Sequence, residues 1–326
     1  MQIITIKRND AGQRLDKFLT KAVKGLPMSL LYKFIRLKKI KVNRKRAEAN
    51  QILSEGDEIQ LFIKDEFFDT PEKDVGALDA IRPKLDIVYE DEHILLLNKR
   101  PGVLVHEDES GGENTLIIHV QAYLHQKGEY DPADEASFAP ALCNRIDRNT
   151  GGIVIAAKTA AALREMNEKI RDDQLRKFYL CLAHGRMPKR QDTLRGFLRK
   201  DSKNNMVRVE DHPFPGAKEI VTAYRVVREV PSRTQKGAVD SLLEVELITG
   251  RTHQIRAHLS FIGHPLVGDV KYGVNRADRE IGYKYQCLYS YRLKFRFKDD
   301  SGTLGYLNGK EVRIDPEEIW FVHENP

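Results

Sequence analysis

CNRIDRNTGGIVIAAK, residues 143–158, sets a charged loop directly against an apolar strand. Arg145, Asp147 and Arg148 fall within four positions. Asn149, Thr150, Gly151 and Gly152 then turn the chain, and residues 153–157 carry no polar side chain. An unbroken apolar run behind a turn reads as a strand buried on both faces. Thr159 follows as a helix N-cap, with Leu163, Met166 and Ile170 at helical spacing behind it. Working outward, LDIVYEDEHILLLNK (85–99) gives two strands around an acidic turn. RKFYLCLAHG (176–185), EIVTAYRVV (219–227) and SLLEVELITG (241–250) give three more. THQIRAHLSFIG is expected to start a helix at Thr252. Tyr289, Tyr291, Leu293, Phe295 and Phe297 alternate and are expected to close the sheet. Strands outnumber helices and follow one another in sequence. That pattern predicts an α+β fold on a mixed, mostly antiparallel sheet.

The chain has 326 residues, 41% hydrophobic and 31% charged, enough for one large domain and a small one. Its apolar runs are too short to span a bilayer, and MQIITIKRND lacks the core of a signal peptide. Cys143, Cys181 and Cys287 are widely spaced, with no CxxC pair. Inert thiols in a reducing, cytoplasmic compartment are expected. The net charge is +6, unevenly spread. Residues 1–50 hold 14 Lys and Arg against 3 Asp and Glu; residues 51–100 hold 6 against 13. So basic a head predicts a polyanionic partner.

That head divides into elements. Leu15, Phe18, Leu19, Ala22 and Val23 mark an amphipathic helix, and a second helix is expected to start at an N-cap on Ser29. Lys33, Arg36 and Lys38 lie on its other face, and Arg44, Lys45 and Arg46 follow in a short strand, a turn near Asn43 and a return, before a Gly-Asp turn and a strand through Ile59 and Leu61. We expect a basic, nucleic-acid-binding module over 1–63, an acidic linker over 64–83 and a larger α+β body over 84–326.

P-loop, GxGxxG, HExxH and GxSxG motifs are all missing, which argues against nucleotide hydrolysis, dinucleotide redox chemistry, zinc proteolysis and α/β-hydrolase chemistry. His253 and His258 stand five apart, a poor helical spacing for one metal, and no metal is expected. What remains is Asp147 between two arginines. A carboxylate acts as base or nucleophile without a cofactor, and neighbouring cations favour its ionised form. From this stretch alone an ordinary turn aspartate is the better reading.

Five segments in order change the weighing. NRIDRNTGG resembles the HRLDxxTSG catalytic motif of RluA-family pseudouridine synthases. EDEHILLLNKRPGVLVH (90–106) resembles that family's opening segment, KFYLCLAHG (177–185) its tyrosine strand, and LITGRTHQIRAHLSFIGHPLVGDVKYG (247–273) its C-terminal signature. The head resembles the αL RNA-binding module of RluC- and RluD-like members. The resemblance implies cofactor-free isomerisation of uridine to pseudouridine in structured RNA. It implies Asp147, Tyr179 and Arg256 as catalytic residues. Arg145 would be the wedge left in the RNA when the base is flipped out, with Arg148, Lys99, Arg251, His253 and Lys271 as substrate contacts. Asn144 and Gly152 depart from the family's histidine and serine. Large-subunit ribosomal RNA is the expected substrate and a monomer the expected state, with no membrane or protein partner. Transfer RNA, or a non-catalytic role in ribosome assembly, are the alternatives. A carboxylate glycosidase would need a second acid across the cleft.

Overall fold

The computed structural model describes residues 1–68, 75–106, 114–201, 206–273 and 275–322. The N-terminal module comprises β1 (Gln2–Thr5), α1 (Leu15–Ala22), α2 (Met28–Arg36), β2 (Ile40–Val42), β3 (Lys45–Arg46) and β4 (Glu58–Leu61). Its strands form a sheet in the order β1-β4-β2-β3. Leu15, Phe18 and Leu19 on α1 and Leu31 and Ile35 on α2 bury against Ile40, Ile59 and Leu61. Each such side chain contributes roughly 1.5–3 kcal/mol relative to exposure. Helix α2 starts two residues earlier than expected. Pro27 is its N-cap, with φ −61°, and Ser29 lies within the first turn without capping. Proline is already set for a helix start and loses no N–H bond there.

Within 64–83, a short 3-10 turn (Asp65–Phe67) and α3 (Val75–Ala80) are formed. Phe67 and Phe68 pack on the module core. Gln126 Nε2 donates to the carbonyls of Leu78 and Ile81, joining that segment to the body. Residues 69–74 of the expected linker lie outside the described residues. Elsewhere the module meets the body through polar contacts. Asp10, fully buried, accepts from the backbone N and Oγ of Ser137, and Asn9 bonds Glu135 and the Ala160 N–H.

The body is built from β5 (Ile87–Glu90), β6 (Ile94–Lys99), α4 (Leu116–Gln126), β7 (Ala141–Leu142), β8 (Gly151–Ala157), α5 (Ala160–Arg171), β9 (Leu175–His184), β10 (Gln191–Asp201), β11 (Met206–Glu210), β12 (Lys218–Pro231), β13 (Val239–Leu247), α6 (Gln254–Phe261), α7 (Asn275–Glu280), β14 (Leu288–Phe295) and β15 (Glu311–Arg313). The main path of its sheet runs β11-β10-β12-β13-β9-β14-β8-β6-β5, with β15 beside β14 and β7 beside β8. β8 is buried at every position, as its apolar run requires. Thr159 caps α5 by accepting from the Ala162 N–H.

β14 does not close the sheet. It lies between β9 and β8 and is parallel to β8, the one parallel pairing among the described strands. Alternation reports that one strand has two faces; it carries no information about which strands lie beside it. The central position follows from burial, because Leu288, Tyr289, Leu293 and Phe295 are all covered. No helix among the described residues is long and apolar enough to cross a membrane.

Candidate active site

The β7–β8 loop carries Asp147 into a cleft of about 1010 Å³, whose other walls come from β9, the β13–α6 loop, α6 and residues 270–271. The loop's exit is fixed by packing on β14. Gly152 has φ +111°, and a Cβ there would stand 2.1 Å from the Ser290 carbonyl oxygen. Only glycine fits both the dihedral and the space. Installing the family's residue, Gly152→Ser, is expected to destabilise the fold by about 2–5 kcal/mol. Urea unfolding checks this, and an unchanged midpoint would refute the close approach. Asn144 is also explained: its Oδ1 accepts the Ile155 N–H at 2.7 Å, so the position serves as a staple onto β8. That task needs an acceptor and no positive charge.

Asp147 is paired with Arg256. Arg256 Nη1 donates to Asp147 Oδ2 at 2.7 Å. The same guanidinium donates from Nε and Nη2 to Asp269 at 2.7 and 2.8 Å. Asp269 is fully buried and Arg256 is 4% exposed. Burial opposes the Arg256 charge, but Asp269 and then Asp147 outweigh it and raise its pKa. Burial likewise opposes the Asp269 carboxylate. The Arg256 guanidinium and the N–H groups of Lys271 and Tyr272 outweigh it and hold its pKa below the ordinary value. The result is a fixed cation that presents one N–H to the cleft carboxylate, with the bidentate geometry that makes arginine directional. His253 Nε2 also approaches Oδ2, at 3.8 Å. Among the described residues Oδ1 makes no bond, which leaves it as the oxygen open to a substrate.

Tyr179 lines the cleft from β9, 6% exposed. Burial pushes its hydroxyl up to about 12, against a side-chain hydrogen bond with Ser290 that lowers it, so the hydroxyl keeps its proton at physiological pH. Lys177, two residues earlier on the same face, also lines the cleft, its pKa lowered by burial. Its two-residue spacing from Tyr179 was a usable signal. Asp269, Tyr272 and Gln286 were legible in no local pattern. Gln286 donates to Thr150 Oγ1 at 3.1 Å and so steadies the catalytic loop.

Arg145, Arg148, Arg251, His253 and Lys271 all line the cleft with Asp147 and Arg256. Arg145 is exposed and makes no bond to another described residue, whereas Arg148 Nε is tied to the Gly102 carbonyl at 3.2 Å. Lys99 departs from expectation. It is 1% exposed and absent from the cleft wall. Its ammonium donates to the carbonyls of Arg100, Val103 and Arg148. Burial, helped by the Arg148 cation, pulls its pKa down to about 7 against the Asp147 carboxylate, which favours the charged form. Lys99 therefore clamps the loop behind Asp147 and lies off the cleft lining; sequence alone does not report which way a strand-end lysine points. On the module, Lys33, Arg36, Lys38, Arg44, Lys45 and Arg46 are all exposed, and none forms an ion pair among the described residues.

Residues 93–261 match the family described as RNA pseudouridylate synthase, and residues 13–59 match the S4 domain. An uncharacterized RNA pseudouridine synthase of Mycoplasma genitalium is 33% identical, over 89% of this chain and 88% of its own. Ribosomal large subunit pseudouridine synthase C of Escherichia coli is 31% identical, over 90% of this chain and 88% of its own. The corresponding protein of Vibrio vulnificus is 34% identical, over 85% and 82%. Human RNA pseudouridylate synthase domain containing 1 shares the fold, with a TM-score of 0.56 at 23% identity, covering 72% of this chain and 87% of that one. With an acid–arginine pair on the wall of the cleft and an S4 domain ahead of it, the chain belongs to the RluA family of RNA pseudouridine synthases.

Proposed function

We propose that this enzyme isomerises uridine to pseudouridine in large-subunit ribosomal RNA, as a monomer and without a cofactor, with Asp147 as the reacting carboxylate. The observation that carries the assignment of roles is the Asp147–Arg256 pair, which leaves one carboxylate oxygen open in the cleft. The glycosidic C1′–N1 bond breaks, the uracil turns, and C5 bonds to C1′. The hydrogen expelled from C5 leaves as a proton, and N1 gains one. Asp147 Oδ1 reacts, Arg256 holds Oδ2, and neutral Tyr179 lies against the base and donates from its hydroxyl. Arg145, exposed on the cleft lining and without a bond to another described residue, fills the stack that the flipped uridine vacates, at a flipping cost of a few kcal/mol. Arg148, Arg251 and Lys271 hold flanking phosphates. The module over 1–63 adds sequence-independent phosphate contacts through exposed cations that include Lys33, Arg36, Lys38, Arg44, Lys45 and Arg46, and residues 84–326 hold the chemistry.

The ribosomal assignment is supported by relatives, aligned over most of this chain, that are ribosomal large subunit pseudouridine synthases C. Tritium release from 5-tritiated uridine tests it. Unmodified large-subunit ribosomal RNA is expected to release tritium without added metal or nucleotide, at least tenfold faster than bulk transfer RNA. Faster release from transfer RNA would replace ribosomal RNA as the substrate; release from neither would return the chain to a binding role.

A further inference from the structure

His253 is held in a backbone conformation that its residue type disfavours. It is the N-cap of α6 with φ 52° and ψ 18°, in the left-handed region, and its side chain caps nothing. Strain of that kind in a non-glycine residue persists only where the surroundings enforce it. Here they do. The preceding loop is pinned by Gln254, whose Nε2 donates to the Val221 carbonyl and Thr222 Oγ1, while its Oε1 accepts from the Arg251 N–H and Thr249 Oγ1. The imidazole, thus placed, has one nitrogen on Tyr272 and the other toward Asp147.

The hydrogen-bond directions along this line can be worked out. The Val207 N–H donates to the Tyr272 hydroxyl oxygen at 2.9 Å. Val207 is on β11, the end strand of the sheet, and its N–H turns away from β10 toward Tyr272. A backbone N–H is only a donor, so the tyrosine oxygen is the acceptor there and its own proton must go elsewhere. The His253 Nδ1, 3.0 Å away, is the acceptor bonded to that hydroxyl among the described residues. If Nδ1 accepts, a neutral imidazole carries its proton on Nε2. That proton lies on the nitrogen 3.8 Å from Asp147 Oδ2. Tyr272 is itself fixed: its N–H donates to Asp269, its carbonyl accepts from Ser260 Oγ, and its ring lies under the Arg256 guanidinium, 5.2 Å from the centroid.

We propose that His253 is a positioning residue for Asp147, locked by Val207 and Tyr272 as the Nε2–H tautomer and closing on Oδ2 when substrate fills the cleft. Arg256 and His253 then hold Oδ2 from two sides, and Oδ1 alone is delivered to the nucleotide. The charged groups around the ring are Asp147, Arg256, Lys271 and Asp269. Burial, helped by the two cations, keeps its pKa below the usual histidine value in spite of Asp147. A neutral ring is what an accepting Nδ1 requires. The β10–β11 hairpin gains a role by the same route. It packs over α6 through Val207, Val209 and Ala257, and its backbone sets the protonation of a ring in the cleft.

The inference rests on Asp147 as the reacting carboxylate, and its test separates the two. Single-turnover tritium release and RNA binding are measured for His253→Asn, His253→Gln and Tyr272→Phe. Asparagine suits the left-handed backbone but puts its amide too far back to reach Asp147. It should lower the single-turnover rate about 10- to 100-fold, the size expected for one lost hydrogen bond to a charged group. RNA affinity should stay within about twofold under the same principle, since no phosphate contact is removed. Glutamine places an N–H near the Nε2 position and should recover part of the rate. Tyr272→Phe keeps the ring under Arg256 and should fall between the wild type and His253→Asn. Nitrogen-15 spectra of the imidazole should show the Nε2–H form in the wild type and a tautomer mixture in Tyr272→Phe. This readout needs no catalysis, so it stands even if Asp147 proves not to react. A wild-type rate in His253→Asn, a loss of RNA affinity equal to the loss of rate, or an Nδ1–H wild-type spectrum would each overturn the proposal.

Discussion

Asp147→Asn is expected to reduce single-turnover tritium release by roughly a thousandfold or more while leaving RNA affinity and unfolding midpoint close to wild type. The amide matches the carboxylate in size, and its oxygen still accepts from Arg256 Nη1, which donates at 2.7 Å in the wild type. Arg256 keeps its two bonds to Asp269, so the fold retains its buried charge balance. What disappears is the anionic oxygen. A neutral amide neither attacks a sugar or base carbon nor takes a proton at a useful rate. Release within tenfold of wild type would remove Asp147 from the chemistry. Loss of RNA binding in parallel would make it a binding residue.

The second large effect falls on Asp269. Asp269→Ala removes two of the three charge-assisted bonds of a guanidinium that is 4% exposed. It also leaves the Lys271 and Tyr272 N–H groups without their acceptor. Breaking one side of a buried ion pair costs about 3–5 kcal/mol, because the remaining charge stays desolvated. Urea unfolding at pH 7 measures that loss, and a change under about 1 kcal/mol would contradict a buried pair of this kind. The pH dependence has a definite sign. The folded Asp269 pKa lies below its ordinary value, so the native state holds fewer protons there than the unfolded chain. The stabilisation is present above the unfolded pKa of about 3.9 and is lost as pH falls through the lower folded value. The stability gap between wild type and Asp269→Ala should therefore narrow only in the acid range. Arg256, freed from its anchor, would no longer aim Nη1 at Asp147, so the rate should fall as well.

Local patterns carried much of the fold. The buried strand over 151–157, the Thr159 cap and the two-strand unit around residues 87–99 were all readable, because each rests on neighbours in sequence. Ser29 failed as a cap because proline one position before Met28 starts the helix by its fixed φ. Lys99 failed as a cleft residue because a strand-end lysine points either way. Here the carbonyls of Arg100, Val103 and Arg148 supply acceptors that take it inward.

The site divides in the same manner. Resemblance to the family's motifs marked Asp147, Tyr179 and Arg256 as candidates, and the structure puts all three on one cleft. Asp269 and Tyr272 came from the same signature stretch, yet nothing in their spacing showed that one anchors Arg256 and the other holds His253. Gly152 shows the limit most plainly. As a sequence letter it is a departure from the family's serine; in the fold it is the residue that lets β8 pass within contact of Ser290 on β14.

By itself, then, the sequence determined which residues could react, where strands and helices run, and that a basic head precedes the body. Periodicity, capping and charge act over a few residues and are written locally. Only the tertiary structure decided that β14 lies at the centre, that Arg256 is shared between two carboxylates, and that an N–H on β11 sets the proton on His253. Those are contacts between segments tens to more than a hundred positions apart, and their strength comes from burial that no single segment possesses.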